Sequence, residues 1–226
     1  MAAPDPLPSG DRAPPAPVPL PVRTIHVYAH PLRLDEFQRL PTLPSGREVE
    51  LRYGRVVEMS PVDNLQAAVQ RALDRRLTAY VDAHGGDAFG LLRSDMGFVV
   101  DPDGPVPMRF PDLAFLRAAR LPDPYASGFL AGAPDLAVEI AGRHDYLPEL
   151  RQKARAYLAA GAELVWVIVP PHPGRRVQVV AWGADGRERA QRASDALLGD
   201  PVLPGFRVQP AALWARVPPA PATGTE

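Results

Sequence analysis

Apolar side chains recur at helical spacing over residues 63–83, where Leu65, Ala68, Val69, Ala72, Leu73, Leu77 and Tyr80–Val81 share one stripe and His84-Gly85-Gly86 ends it. A second helix is predicted over 145–161, DYLPELRQKARAYLAAG, with Asp145 placed to cap it, Pro148 tolerated in the first turn and Gly161 as the stop. Around these helices lie short apolar runs of strand length. FPDLAFLR (110–117), PDLAVEIAG (134–142), ELVWVIVP (163–170) and RRVQVVAWG (175–183) are the clearest, and PDLAVEIAG is apolar on both faces except at Glu139. Upstream, LRLDEFQRL (32–40) predicts a short amphipathic helix, and VELRYGRVVEMSP predicts a hairpin turning at Tyr53-Gly54. AFGLLR and GFVVD add short strands, and LPGFRVQPAALW a strand followed by one helical turn. The fold class is α/β (α+β): a mixed β-sheet with at least two packed helices.

Composition sets the limits of that domain. Residues 1–22 hold eight of the 29 prolines and predict a disordered or semi-rigid tail, and 218–226 predicts a second one. The 226-residue chain is 46% hydrophobic, enough for one sizeable core, so a single domain is expected over 23–217. No apolar run approaches the roughly 20 residues needed to span a bilayer, and MAAPDPLPSGD lacks the basic start and apolar stretch of a secretory signal. The absence of cysteine excludes thiol nucleophiles and suits a reducing cytoplasm. A net charge of −1 leaves any nucleic-acid binding to local arginine groups such as Arg71, Arg75 and Arg76 or Arg151 and Arg155.

One basic residue stands apart. Of the 25 lysines and arginines only Lys153 is lysine. Arginine can meet surface charge, but a planar guanidinium cannot replace a compact ammonium that orients water or tunes its pKa by burial. Three acids sit where acids are unwelcome: Glu50 in the first hairpin strand, Asp112 after Pro111, and Glu139 inside an apolar strand. Carboxylates converging at strand ends beside a lysine make a hard-oxygen site suited to magnesium and phosphodiester hydrolysis. Plainer readings stay open for each. Lys153 can pair with Glu149 on a solvated helix face, Asp112 can cap a turn, Glu50 can be an exposed strand residue, and Glu139 can pair with Arg109.

The ordered set of Glu50, FPDLAFL, PDLAVEIAGRHD, ELRQKARAYLAAGAELVWVIVP and LLGDPVLPGFRV resembles the Uma-two family of restriction-endonuclease-like proteins, within the PD-(D/E)XK nuclease superfamily. The likeness runs from about residue 30 to 215 and implies a restriction-endonuclease-like mixed sheet flanked by helices. It also implies a Mg2+- or Mn2+-dependent endonuclease acting on DNA, with a homodimer as the state that cuts both strands. Asp112 and Glu139 would bind the metal, Glu50 would bind it or hold a water on it, and Lys153 would activate the attacking water. In that family the lysine has moved from the E-x-K strand position to the next helix; here position 141 is alanine and Lys153 is on the helix. Three features differ: the loop Ala141-Gly142-Arg143-His144, Gln66 where the family usually has histidine, and Val169-Pro170 without an aspartate between. The alternative is a catalytically idle nucleic-acid- or protein-binding module that keeps the fold.

Overall fold

The apolar runs pair into one central sheet, and the two long helices cover its opposite faces. The computed structural model describes residues 25–26, 28–41, 49–59, 62–94, 96–121, 128–172, 175–192, 194–215 and 217. Both predicted tails, 1–22 and 218–226, lie outside the described residues. The chain opens with β1 (Ile25–His26), α1 (Leu34–Phe37), β2 (Val49–Arg52), β3 (Arg55–Glu58) and α2 (Asn64–Ala83). It continues through β4 (Gly90–Arg93), β5 (Phe98–Val99), β6 (Met108–Arg109), β7 (Leu113–Arg117), β8 (Leu130–Ala131) and β9 (Leu136–Ile140). Then come α3 (Leu147–Ala159), β10 (Leu164–Val169), β11 (Gln178–Gly183), β12 (Glu188–Gln191), β13 (Leu197–Leu198), β14 (Arg207–Val208) and α4 (Ala211–Trp214).

The central sheet has the order β12-β11-β10-β9-β7-β4. Among the described residues of this sheet, β9 and β10 alone run parallel, joined by α3 as a crossover helix; its other pairs are antiparallel. Strand alternation sorts the core into two layers. On one face Leu136, Val138 and Ile140 of β9 and Trp166 of β10 pack with Val69, Leu73 and Leu77 of α2. On the other, Ala137 and the β10 residues Val165 and Val167 pack with Leu150, Ala154 and Tyr157 of α3. Glu139 falls by parity into this second layer.

The predicted hairpin is present. Tyr53 and Gly54 both take positive φ (51° and 70°), as a two-residue turn matched to strand twist requires. The helix predicted over 32–40 is shorter, because the Leu32 amide donates to the Gly54 carbonyl (2.8 Å) and holds the chain extended up to Arg33. Helix α2 starts as predicted, with the Asp63 carboxylate accepting from the Gln66 amide (2.8 Å). The cap predicted for α3 is corrected: Tyr146, without a side-chain bond, occupies the cap position, while Asp145 accepts from the Gly142 amide (2.8 Å) to shape the loop before the helix.

Candidate active site

Register brings Asp112 and Glu139 together. Strands β7 and β9 pair with Leu113 opposite Val138, and continuing that register by one residue sets Asp112 across from Glu139. Asp112 accepts from the Ile140 amide through Oδ2 (2.5 Å) and from Gln66 Nε2 through Oδ1 (3.2 Å), while Gln70 Nε2 holds its backbone carbonyl (2.9 Å). Asp112 is thus more than a turn cap: it joins the ends of two strands to the first turns of α2.

Helix α3 supplies the partners of Glu139. Leu150, Ala154 and Tyr157 form its buried stripe, and Lys153 lies on the flank of that stripe, half-buried. Lys153 Nζ donates to Glu139 Oε2 (2.9 Å) and the Tyr157 hydroxyl donates to Oε1 (2.8 Å). Lys153 and Tyr157 are one helical turn apart, so they clasp one carboxylate from one helix face. Glu139 therefore pairs with Lys153 and Tyr157, and not with Arg109.

Glu50 is fully buried, contrary to the exposed-strand alternative. Its Oε2 accepts from Arg52 Nε (2.7 Å) and lies 3.9 Å from Arg109 Nη1, while its Oε1 has no hydrogen-bond partner. Glu50 does not line the cleft that Asp112, Glu139 and Lys153 share. That cleft offers about 190 Å3 and is also lined by Asp63, Gln66, Arg143 and His144.

Burial and then the Glu139 charge push the Asp112 carboxyl up to about 7. Burial also raises Glu139, with Lys153 opposing it. Burial works against the Lys153 charge, but Glu139 and Glu50 outweigh it and raise the ammonium above its ordinary value. Burial disfavours the Glu50 charge too, yet Lys153, Arg52 and Arg109 together hold it below the usual range. The result is a charge network running from the like pair Asp112 and Glu139 through Lys153 to Glu50 and its arginines.

The loop Ala141-Gly142-Arg143-His144 borders the cleft and is pinned from several sides. The Arg143 amide donates to Asp63 Oδ2 (2.7 Å), Arg175 donates to the Gly142 and Asp145 carbonyls (2.8 and 2.5 Å), and buried His172 lies 3.2 Å from the Ala141 carbonyl. His144 is exposed on the cleft wall. Sequence reasoning did not single out Tyr157 or Arg52, and it took Arg175 only as part of a local arginine group for phosphate contact. Tyr157 carried a signal, its i+4 spacing from Lys153, and Arg52 another, its i,i+2 spacing from Glu50 on one strand face; Arg175 meets its partners only through tertiary packing. Among the described residues, no three His, Asp or Glu side chains form a ready-made cation site, and no helix is long and apolar enough to cross a membrane.

Several of the arginines proposed for phosphate contact are engaged locally. Arg76 donates to the Ala72 and Ala212 carbonyls, and Arg151 pairs with Glu188 (2.6 Å).

Comparison with known proteins gives the fold and the family. A crystal structure from Anabaena variabilis, described as "a putative nuclease belonging to DUF820", superimposes with a TM-score of 0.67 at 16% identity, covering 82% of this chain and 98% of that one. The shared architecture is the restriction-endonuclease-like mixed sheet. No curated protein matches the chain. The Uma2 family model, described as "Putative restriction endonuclease", matches residues 34–213, which include Glu50, Asp112, Glu139 and Lys153, and the chain belongs to that family.

Proposed function

We propose that this chain is a divalent-metal-dependent nuclease that hydrolyses phosphodiester bonds in DNA, built as one domain over residues 23–217. The observation that carries the reading is the convergence of Asp112, Glu139 and Lys153 on one cleft, with the Asp112 carboxyl pushed up to about 7. Two facing carboxylates, both raised by burial and Asp112 further by the Glu139 charge, are the donor chemistry a hard cation relieves, so Asp112 and Glu139 fit Mg2+ or Mn2+. Such a cation would withdraw electron density from the phosphate and make a water easier to deprotonate.

The remaining work falls to the chain itself. Lys153 uses one N–H on Glu139 and keeps others to orient a water and a non-bridging phosphate oxygen. Tyr157 stays a phenol, since burial and Glu139 raise it far up, and fixes the other Glu139 oxygen. Gln66 stands where the family's usual histidine does and orients Asp112. Glu50 was expected on the metal or on a water held there. Its geometry favours a supporting place behind the metal pair, offsetting Lys153 and the arginines while its Oε1 stays available.

The test is cleavage of supercoiled plasmid and single-stranded DNA with Mg2+ or Mn2+, run beside Lys153→Ala and Glu139→Ala. Cutting by the wild type that both variants lose supports the proposal. A wild type that cuts under neither metal and shows no calorimetric metal binding supports the second reading, a non-catalytic binding module. One observation favours that reading: both Glu139 oxygens are already engaged.

A further inference from the structure

The cleft that holds Asp112, Glu139 and Lys153 also carries bare apolar surface. Five large apolar side chains stand exposed among the described residues, and two of them, Val62 (54%) and Tyr146 (61%), line this cleft. Half-buried Met59 and Phe110 continue the apolar lining. Val62 comes just before the cap of α2 and Tyr146 just before α3, and the bond from the Arg143 amide to Asp63 ties the two helix entries together.

Tyr146 is a poor choice for the helix it precedes. It sits at the cap position, where Ser, Thr, Asp or Asn would satisfy a first-turn amide, and its side chain makes no such bond. Its backbone is nonetheless fixed, because its carbonyl accepts from the Glu149 and Leu150 amides (2.9 and 3.2 Å). Tyr80, by contrast, packs its ring against His84, Phe89 and Phe206. Among the described residues no aromatic ring meets Tyr146. Local rules are broken chiefly where function asks for it, and a bare ring on a pinned backbone is a platform for another π-face.

Charge narrows what that other face is. Carboxylates outnumber the cations Arg143 and Lys153 along the cleft lining, so phosphate attraction alone does not hold a strand here. Stacking of a base on an aromatic ring is neutral and indifferent to those acids. In a duplex each base face is covered by its neighbours, whereas a single strand can turn one toward the ring. We infer that Tyr146 stacks an unpaired base of single-stranded DNA, with Val62 adding apolar contact, and that single-stranded DNA is therefore the preferred substrate. The inference deepens the nuclease reading and rests on it for its ligand.

The test is binding to the full chain, followed by anisotropy of fluorescent oligonucleotides in metal-free buffer and again with Ca2+. A single strand, its duplex and single strands carrying one abasic site each are compared for wild type, Tyr146→Ala and Tyr146→Phe. Tyr146 is exposed, so folding is not at stake, and melting curves check both variants. Wild type should prefer the single strand at least tenfold. Tyr146→Ala should lose about tenfold on it while Tyr146→Phe keeps the affinity. The slope of log K against log salt should be the same in all three, because stacking releases no counterions. One abasic position should cost wild type what Tyr146→Ala costs, and cost that variant little more. Wild type that binds no single strand in either buffer, binds duplex as well, or loses nothing on Tyr146→Ala overturns the inference. So does a Tyr146→Ala effect confined to sedimentation, since a second copy of the chain would then cover the ring. A protein that cuts DNA without regard to Tyr146 keeps the nuclease reading and loses this one. Binding that depends on Tyr146 in a protein that never cuts supports the stacking site and removes the nuclease reading.

Discussion

Lys153 reaches Glu139 from the next element of the chain, closing a 2.9 Å ion pair between α3 and the strand that precedes it. The pair places an ammonium beside the strand carboxylate although position 141, two residues beyond Glu139, is a fully buried alanine. Removing it should have two separable effects. Lys153→Ala leaves a buried carboxylate without its countercharge and should cost about 3 kcal/mol in urea unfolding. Lys153→Arg should restore much of that stability but not DNA cleavage, because a guanidinium cannot take the ammonium's position on the water. Cleavage by the arginine variant at wild-type rate would refute the assigned role.

Asp112 is held at a cost to the fold. Its folded pKa, about 7, lies above the ordinary 3.8, so between those values the folded state binds the proton more tightly than the unfolded chain. Stability from this group is therefore fully present below about pH 4, falls as pH rises to 7 and levels off above. Asp112→Asn removes the charge while keeping an acceptor for the Ile140 amide. It should melt higher than wild type at pH 8, by an amount that shrinks steadily toward pH 4. A gap independent of pH would show that Asp112 is not the titrating group.

Tyr157 should act through Glu139. Tyr157→Phe keeps the ring in its fully buried site and deletes one donor to a buried carboxylate, which should cost about 2 kcal/mol. Cleavage should fall about tenfold as Glu139 gains freedom, with the pH dependence shifted. A variant as stable and active as wild type would mean the hydroxyl is a bystander.

The sheet and both long helices were legible because their periodicity is unbroken over many residues, as in Leu65 through Val81 or LVWVIV. Lys153 was legible as the only lysine, and Glu139 as a charge in an apolar strand. What periodicity could not separate is Asp112 from Asp135. Each follows a proline at the start of a strand, yet Asp135 pairs with Arg117 and Arg120 (2.8 and 3.1 Å), while Asp112 faces Glu139. That distinction comes from antiparallel register, a long-range property. The role of Asp145 was misplaced for a similar reason: a capping residue competes with loop amides that only the fold brings near. β12 escaped notice because its residues, Glu188–Gln191, are mostly polar along an edge.

Gly142 and Gln66 should prove to be one unit. A methyl group on Gly142 would come within 2.8 Å of Gln66 Oε1, tighter than ordinary contact, and within 3.4 Å of carboxylate oxygens of Asp63 and Asp145. The near atom is the end of a flexible amide, so the side chain can swing away without unfolding the loop. Swinging away, however, withdraws the Gln66 Nε2 bond to Asp112 Oδ1. Gly142→Ala should therefore change stability by less than about 1 kcal/mol yet reduce Mn2+ affinity and cleavage, as Gln66→Ala should on its own. Because both changes remove the same contact, the double variant should be scarcely worse than either single one, a coupling that a double-mutant cycle measures directly. Additive losses would mean that Gly142 is required for another reason, and that the departures at Gln66 and in the 141–144 loop are independent.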